Sequence, residues 1–287
     1  MNRKSFLSAL SCALLLAGCA TEQRSSLTTV PRRIVTVNGT ATEIVAALGL
    51  ADRIVGVDVT STYPEPVTRL PKVGHDRNVK AEGVISLQPD LVIGAENQLD
   101  AGVVGQLRSA GERVLLFPWQ LSVEGAKSTI QRIADSLYVP DRAAALIATI
   151  EEDIQGLQPM AAAPKVLFIY ARGAGSLMVA GNGTPMHRMI ELAGGRNAMG
   201  DFDQFKPLTP EALVAADPDA ILLFTSGLDG LQGVDGLLAV PGMAQTVAGR
   251  NKAFITMDGG MLSNFGPRVG KALVELNTRF RSLTPAP

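Results

Sequence analysis

The chain has 287 residues, and 26 Lys and Arg against 27 Asp and Glu give a formal net charge of −1 at pH 7. This balance provides no broad positive surface, so it argues against a protein that binds nucleic acid. The length is sufficient for two domains of ordinary size, each with a core.

The N-terminus has the three-part layout of a secretory signal over residues 1–18: a positive start, an apolar run at 6–16 and small residues after it. The run is too short to cross a bilayer core as a helix, which needs roughly 20 apolar residues. Residues 16–19, Leu-Ala-Gly-Cys, resemble the bacterial lipoprotein box. We therefore expect lipidation of Cys19 and a flexible tether over 19–32, with ordinary secretion as the alternative.

These expectations leave the mature body without a thiol, because Cys12 is removed with the signal and Cys19 carries the lipid. A disulfide, a catalytic cysteine and a zinc-thiolate site are thereby excluded. Loss of Arg3 and Lys4 with the signal also moves the net charge to about −3.

An N-terminal lobe is predicted over residues 33–121. Short runs rich in Val, Ile and Leu predict strands at residues 33–37, 53–57, 90–94 and 113–117. Helical spacing lies between them, as in residues 42–48, where Gly49 is a natural helix stop. Continuous apolar strands that alternate with helices indicate a parallel sheet covered on both faces.

A helical linker is predicted over residues 122–160, with a break near Pro140. Residues 142–157 carry an apolar stripe about four turns long, and Asp141 is the predicted cap. We expect one long, rigid helix between the lobes.

Residues 161–287 repeat the first lobe's rhythm and form a predicted C-terminal lobe. Strands are predicted at residues 165–170, 219–224 and 253–257, and a helix at 185–193. The predicted fold class is α/β, with two Rossmann-like lobes, each built on a parallel sheet, joined by one long helix.

Several segments occur in the order and spacing found in the helix-hinged solute-binding proteins that carry cobalamin, siderophores and haem: residues 33–37, 41–44, 48–49, 70–74 and 89–92. The chain resembles this class, the class III periplasmic-binding-protein type, over about residues 32–282. Further segments are similar to the haem carriers within it: residues 38–40, 58–62, 73–77, 196–199, 205–208 and 262–268. The resemblance implies a periplasmic, lipid-anchored haem-binding protein of an ABC importer.

The haem carriers place an iron-ligating tyrosine after a Val-Gly pair, and this chain has His75 there. Imidazole is a standard axial ligand of haem iron, so the resemblance implies His75 as the metal ligand. The alternative is a surface-loop histidine. The second histidine, His187, is expected to lie on a helix surface.

Other ligand contacts are implied by position in the same resemblance. Arg77 suits a haem propionate, which its planar fork can bind with two bonds, although a solvated loop residue is the alternative. Arg172 stands where some relatives have a second histidine; it cannot ligate iron but can bind a second propionate. Tyr170 points either into the cleft or into the core. Apolar walls of a porphyrin slot are predicted at Met178, Met261, Leu262 and Phe265, with core packing as the alternative.

Two glutamates concern a partner. Glu82 and Glu211 open equivalent short helices in the two lobes, where the helix dipole alone would favour them. In the resembled class one glutamate per lobe docks onto the permease dimer, which is driven by its ATPase, and we expect the same here.

Catalysis is not expected, because the chain has no phosphate-binding loop, zinc-binding His-Glu-x-x-His helix or nucleophile elbow. Two other functions stay open: a siderophore or cobalamin carrier on the same scaffold, and a membrane-tethered structural or assembly lipoprotein.

Overall fold

The computed structural model describes residues 29–75, 78–173 and 177–283. The predicted signal, Cys19, most of the tether and Arg77 lie outside these residues. Along the described part of the chain, no helix combines the length and the apolar character that crossing a bilayer requires.

The N-terminal lobe is built on a four-stranded parallel sheet in the order β2-β1-β3-β4. Its strands are β1 (Ile34–Thr36), β2 (Ile54–Val57), β3 (Leu91–Ala95) and β4 (Val114–Phe117). Its helices are α1 (Gly39–Val45), α2 (Ala81–Ile85) and α3 (Ala101–Ser109). All four predicted strands are present, within a residue or two at each end.

Local chemistry sets both ends of α1. The Asn38 side chain accepts hydrogen bonds from the backbone N–H groups of Thr40 (2.8 Å) and Ala41 (3.3 Å), which caps the helix. After α1 the chain continues through a wider turn, in which Gly49 takes a φ of 75° that glycine adopts without strain. Gly49 therefore stops this helical segment, as the sequence predicts.

Two helices occupy the linker, where the sequence predicts one long helix. They are α4 (Val123–Ser136) and α5 (Pro140–Gln155), and Tyr138 between them has a φ of 58°. The side chain of Ser122 caps α4 by accepting from Gly125 N–H at 3.0 Å. Val139, rather than Asp141, occupies the cap position of α5, because Pro140 suits the first helical position and places Asp141 in the first turn.

The C-terminal lobe has a mixed sheet in the order β10-β9-β5-β6-β8, with β7 also paired to β5. Its strands are β5 (Lys165–Ala171), β6 (Leu177–Ala180), β7 (Arg196–Asn197), β8 (Phe205–Pro207), β9 (Ala220–Phe224) and β10 (Phe254–Met257). The prediction of a wholly parallel sheet is wrong here, because β6 turns back along β5 and β8 along β6. Both strands are short, with four and three residues, and the sequence prediction did not include them.

Seven helices in the described residues accompany this sheet: α6 (Pro185–Leu192), α7 (Pro210–Ala216), α8 (Thr225–Gly230), α9 (Val234–Leu238), α10 (Val247–Asn251), α11 (Gly259–Ser263) and α12 (Val269–Leu283). Residues of α7, α9 and α10 pack on one face of the sheet. Residues of α6, α11 and α12 pack on the other.

One hydrophobic core runs through both lobes and the linker. It joins Ile44 of the first lobe, Ile133 of α4, Phe168 of the second lobe and Phe280 of α12, all fully buried. Asn277 of α12 fastens this layer, since its side chain bonds to the backbone N–H and C=O of Gln158 and to the C=O of Ala193. The inner faces of the two sheets therefore share a single layer of helices.

Candidate functional site

The two lobes meet where the parallel strands of each sheet end. Thr40 donates a hydrogen bond to the backbone C=O of Asn264, and Trp119 Nε1 donates to the same oxygen at 3.2 Å. Thr40 follows β1 and Trp119 follows β4, while Asn264 follows α11 beyond β10. Ligands of open α/β sheets bind at the carboxyl ends of the strands, so this boundary defines the cleft.

A buried salt bridge crosses the same boundary. Arg268 Nε and Nη2 donate to the Glu43 carboxylate at 2.9 and 2.6 Å, and Asn264 Nδ2 donates to it at 2.8 Å. Burial alone would lower the pKa of Arg268, but the hydrogen bonds and charge of Glu43, with help from Asp258, raise it above its ordinary value. Arg268 is therefore a permanent cation at the cleft.

His75 lies on an exposed loop beyond the carboxyl end of β2. Backbone hydrogen bonds fix this loop to the end of the strand: Val73 N–H to Val57 C=O and Val59 N–H to Gly74 C=O, both 2.9 Å. Gly74 has a φ of 115°, and a Cβ there would approach the backbone oxygen of Asn78 to 2.9 Å. The sheet thus extends to the residue before His75.

A network of hydroxyl groups supports the neighbouring loop. Asp58 is fully buried and accepts from Thr60 N–H at 3.0 Å and from the hydroxyls of Thr60 and Ser61. Ser61 also bonds to the hydroxyl of Thr42, and Thr42 to that of Thr36, both at 2.6 Å. The carboxylate therefore fixes the turn after β2, which contacts the His75 loop.

Tyr170 and Arg172 form a pair at the carboxyl end of β5. Arg172 Nε donates to Tyr170 Oη at 3.0 Å, and the guanidinium carbon lies 5.1 Å from the centre of the Tyr170 ring. Arg172 is exposed and Tyr170 is half-buried. Tyr170 is thus a rim residue whose hydroxyl is held by a cation, and no feature of the sequence indicated this bond.

An aromatic chain leads from the core to this rim. Phe168 packs edge-on against Phe224 (5.0 Å between ring centres), Phe224 against Tyr170 (5.8 Å), and Tyr170 against Phe205 (6.2 Å). Phe205 is 37% exposed on the edge strand β8. The sequence prediction missed Phe205 as a site residue, although it is one of few aromatic residues in the chain.

The predicted apolar walls separate into two groups. Met178, directly opposite Tyr170 across β5 and β6, and Met261 on α11 are half-buried. Leu262 and Phe265 are 0% and 2% exposed and belong to the shared core, so they offer a ligand almost no surface in this structure. His187 bonds through its ring to Asn197 and Glu191, consistent with a structural role on α6.

Glu82 and Glu211 are both exposed, in the first turns of α2 and α7. Thr209 caps α7 by accepting from Ala212 N–H at 3.2 Å, so Glu211 is not required as the cap. Among residues 29–75, 78–173 and 177–283, neither carboxylate forms an ion pair.

The class of protein follows from these features and from sequence comparison. The chain matches the family described as periplasmic binding protein over residues 34–260, and it belongs to that family. It is a substrate-binding protein of an ABC transporter and not an enzyme. This class implies an extracytoplasmic location and a permease and ATPase as partners.

Two relatives are similar to this chain over most of its length. The ABC transporter substrate-binding lipoprotein YvrC of Bacillus subtilis is 30% identical, over 90% of this chain and 82% of the relative. A cobalamin-binding protein of Halobacterium salinarum is 27% identical, over 90% and 72%.

Among structures, the periplasmic haem-binding protein RhuT of Roseiflexus sp. RS-1 is 40% identical, with a TM-score of 0.83 over 88% of this chain and 98% of that one. The haem-binding protein HmuT is 29% identical, with a TM-score of 0.76 over 87% and 84%. Solved variants of HmuT replace a tyrosine, a histidine and an arginine two positions after that tyrosine by alanine.

Proposed function

We propose that this protein captures haem between its lobes and delivers it to an ABC permease. The observation that carries the proposal is the hydrogen bond from Arg172 to Tyr170 Oη at the rim of the second lobe. Support also comes from the structures of RhuT and HmuT, which are similar along most of their length and are described as haem-binding.

His75 is the proposed axial ligand from the first lobe. Imidazole is a standard axial ligand of haem iron. Its loop is exposed and is connected by backbone hydrogen bonds to the end of β2. A loop fixed in this way would hold the His75 side chain in a defined position for the ligand.

Tyr170 is the proposed ligand from the second lobe. A tyrosine ligates haem iron as a phenolate, and the guanidinium of Arg172 would balance the charge of that oxygen. Tyrosine, alanine and arginine stand here in the two-position spacing of the tyrosine and arginine that were replaced in HmuT. The remaining N–H groups of Arg172 can bind a propionate, the role that the sequence suggested for it and for Arg77.

Apolar surface for the porphyrin is proposed at Met178, Met261 and Phe205. All three keep exposed area, and Phe205 already contacts the ring of Tyr170. A haem site needs mostly hydrophobic area with a few polar anchors, and these residues provide it beside the proposed ligands.

Permease docking is proposed at Glu82 and Glu211, one in each lobe, which are exposed and suit arginine side chains of a partner. The anchor is proposed at Cys19. Its support is the lipoprotein box and the relative YvrC, which is described as a lipoprotein. An anchor of this kind would keep the carrier close to its permease.

The second candidate cargo is cobalamin, because the Halobacterium salinarum relative is described as cobalamin-binding. Cobalamin brings its own axial ligands on cobalt, whereas haem iron has axial positions open to side chains of the protein. The Tyr170–Arg172 pair and the exposed His75 therefore favour haem.

The experiment is a titration of the full chain with haemin and, separately, with cyanocobalamin, followed by absorption. Wild type should develop a Soret band with haemin, and His75→Ala and Tyr170→Phe should each change its position and weaken binding. His187→Ala is the matched control, because that ring bonds within its own lobe. Binding of cyanocobalamin with no haemin spectrum would replace haem by cobalamin as the cargo.

A further inference from the structure

The salt bridge between Glu43 and Arg268 is unlike the others in the described chain. Glu43 is 4% exposed within α1 of the first lobe, and Arg268 lies between α11 and α12 of the second, 225 positions away. Two N–H groups of the guanidinium meet the two carboxylate oxygens, the paired geometry that gives both strength and direction.

The partners of Glu43 all come from across the boundary. Its side-chain bonds among the described residues go to Arg268 and Asn264, and Asn264 is held in turn by Thr40 and Trp119 through its backbone oxygen. A buried carboxylate without partners is strongly unfavourable, so separation of the lobes would leave Glu43 uncompensated. An apolar side chain at position 43 would pack as well, so packing alone does not explain a carboxylate there.

Arg268 is also oriented from both sides. Its Nη2 lies 3.0 Å from Asp258 Oδ1, in its own lobe, and its guanidinium lies 4.0 Å from the centre of the Tyr63 ring, in the other. Tyr63 is 47% exposed and stands on the turn fixed by Asp58. A cation over an aromatic face adds to the attraction between the lobes.

We propose that Glu43 and Arg268 are positioning residues, whose ion pair sets the separation of the lobes at which His75 and Tyr170 reach one haem iron. This inference rests on the proposed function for its purpose, but not for its geometry. In the described residues, the contacts of the pair go to Asn264, Asp258 and Tyr63, and to neither proposed ligand. It acts by selecting one orientation of the two rims before the cargo arrives.

The geometric part can be tested without cargo. Spin labels at Glu96→Cys and Asp229→Cys, exposed residues of the first and second lobes, report the distance across the cleft in the full chain with Cys12→Ser and Cys19→Ser. Glu43→Gln and Arg268→Lys should each lengthen the mean distance and broaden its distribution. Glu191→Gln removes the same charge from an ion pair within α6, so the mean distance and the width of its distribution should not change.

The melting transition of each variant shows whether it folds. If Glu43→Gln does not fold, the distance measured in Arg268→Lys is the test. A folded variant with the wild-type distance distribution overturns the inference, and so does an equal broadening in Glu191→Gln.

The functional part uses haemin. Both variants should bind it about tenfold more weakly, equivalent to 1.4 kcal/mol, because the competent orientation is less populated. Their absorption spectra should approach that of His75→Ala or Tyr170→Phe, as one ligand is lost. If the wild-type protein binds no haemin, both the proposed function and the ligand-positioning role are wrong. The effect on lobe separation would then stand alone as a structural finding.

Discussion

The rims of the two lobes have opposite chemistry on similar frameworks. In the first lobe, hydroxyl groups and the buried Asp58 fix the turn after β2. In the second, aromatic rings extend from the buried Phe168 to the exposed Phe205. Hydrogen bonds stabilise the first rim, and packing between aromatic rings stabilises the second. A flat apolar cargo with one reactive centre would therefore contact a polar rim on one side and an aromatic rim on the other.

Phe168→Ala should have the largest effect on stability. Phe168 is fully buried at the start of the aromatic chain, and removal of such a ring costs about 4 kcal/mol through lost burial and a cavity. Chemical denaturation measures the loss. Phe168→Leu, which fills most of the space, should recover more than half of it, and an equal loss in both variants would contradict a packing role.

Asp58→Ala should cost somewhat less, about 3 kcal/mol, because the buried hydroxyl of Ser61 and the N–H and hydroxyl of Thr60 lose their carboxylate acceptor. The loss should be accompanied by faster hydrogen exchange at Val59 N–H, which bonds to the His75 loop. Asp229→Ala, at an exposed aspartate, serves as the control. Unchanged exchange at Val59 would show that the network does not support that loop.

Phe205→Ala should affect stability least, by less than about 1 kcal/mol, since the ring is already 37% exposed. Haemin binding should weaken about fivefold through lost aromatic contact, a loss of roughly 1 kcal/mol. Val234→Ala, at an exposed apolar residue of the same lobe, is the comparison for both measurements. Unaltered haemin affinity in Phe205→Ala would remove this edge strand from the cleft.

Sequence patterns predicted the parts of this fold that depend on local order. The apolar strands around Ile34, Leu91, Phe168 and Leu222 were found because a buried parallel strand is a continuous apolar run. Strands β6 and β8 were missed because they have only four and three residues, and the exposed strand β8 at the sheet edge carries no apolar run. A break near Pro140 was predicted, and the structure has it between Ser136 and Pro140, but the linker was described as one long helix although it contains two.

The candidate site was predictable only in part. The resemblance to known carriers led to His75, Glu82 and Glu211, and their roles stay predictions. The bonds of Tyr170 with Arg172 and of Glu43 with Arg268 depend on side-chain direction and on contact between distant segments. Residues 41–44 and 262–268 were both recognised as similar to known carriers, yet nothing in either segment indicates that they meet.

Helix α12 affects the order in which parts of the protein can fold. Residues of α12 such as Leu276 and Phe280 complete the core shared by both lobes, and Asn277 joins the ends of α5 and α6. This helix follows both lobes in the chain, so the core that they share cannot close before α12 has been synthesised. Until then, the apolar side chains of both lobes that pack on α12 keep surface that the folded protein buries.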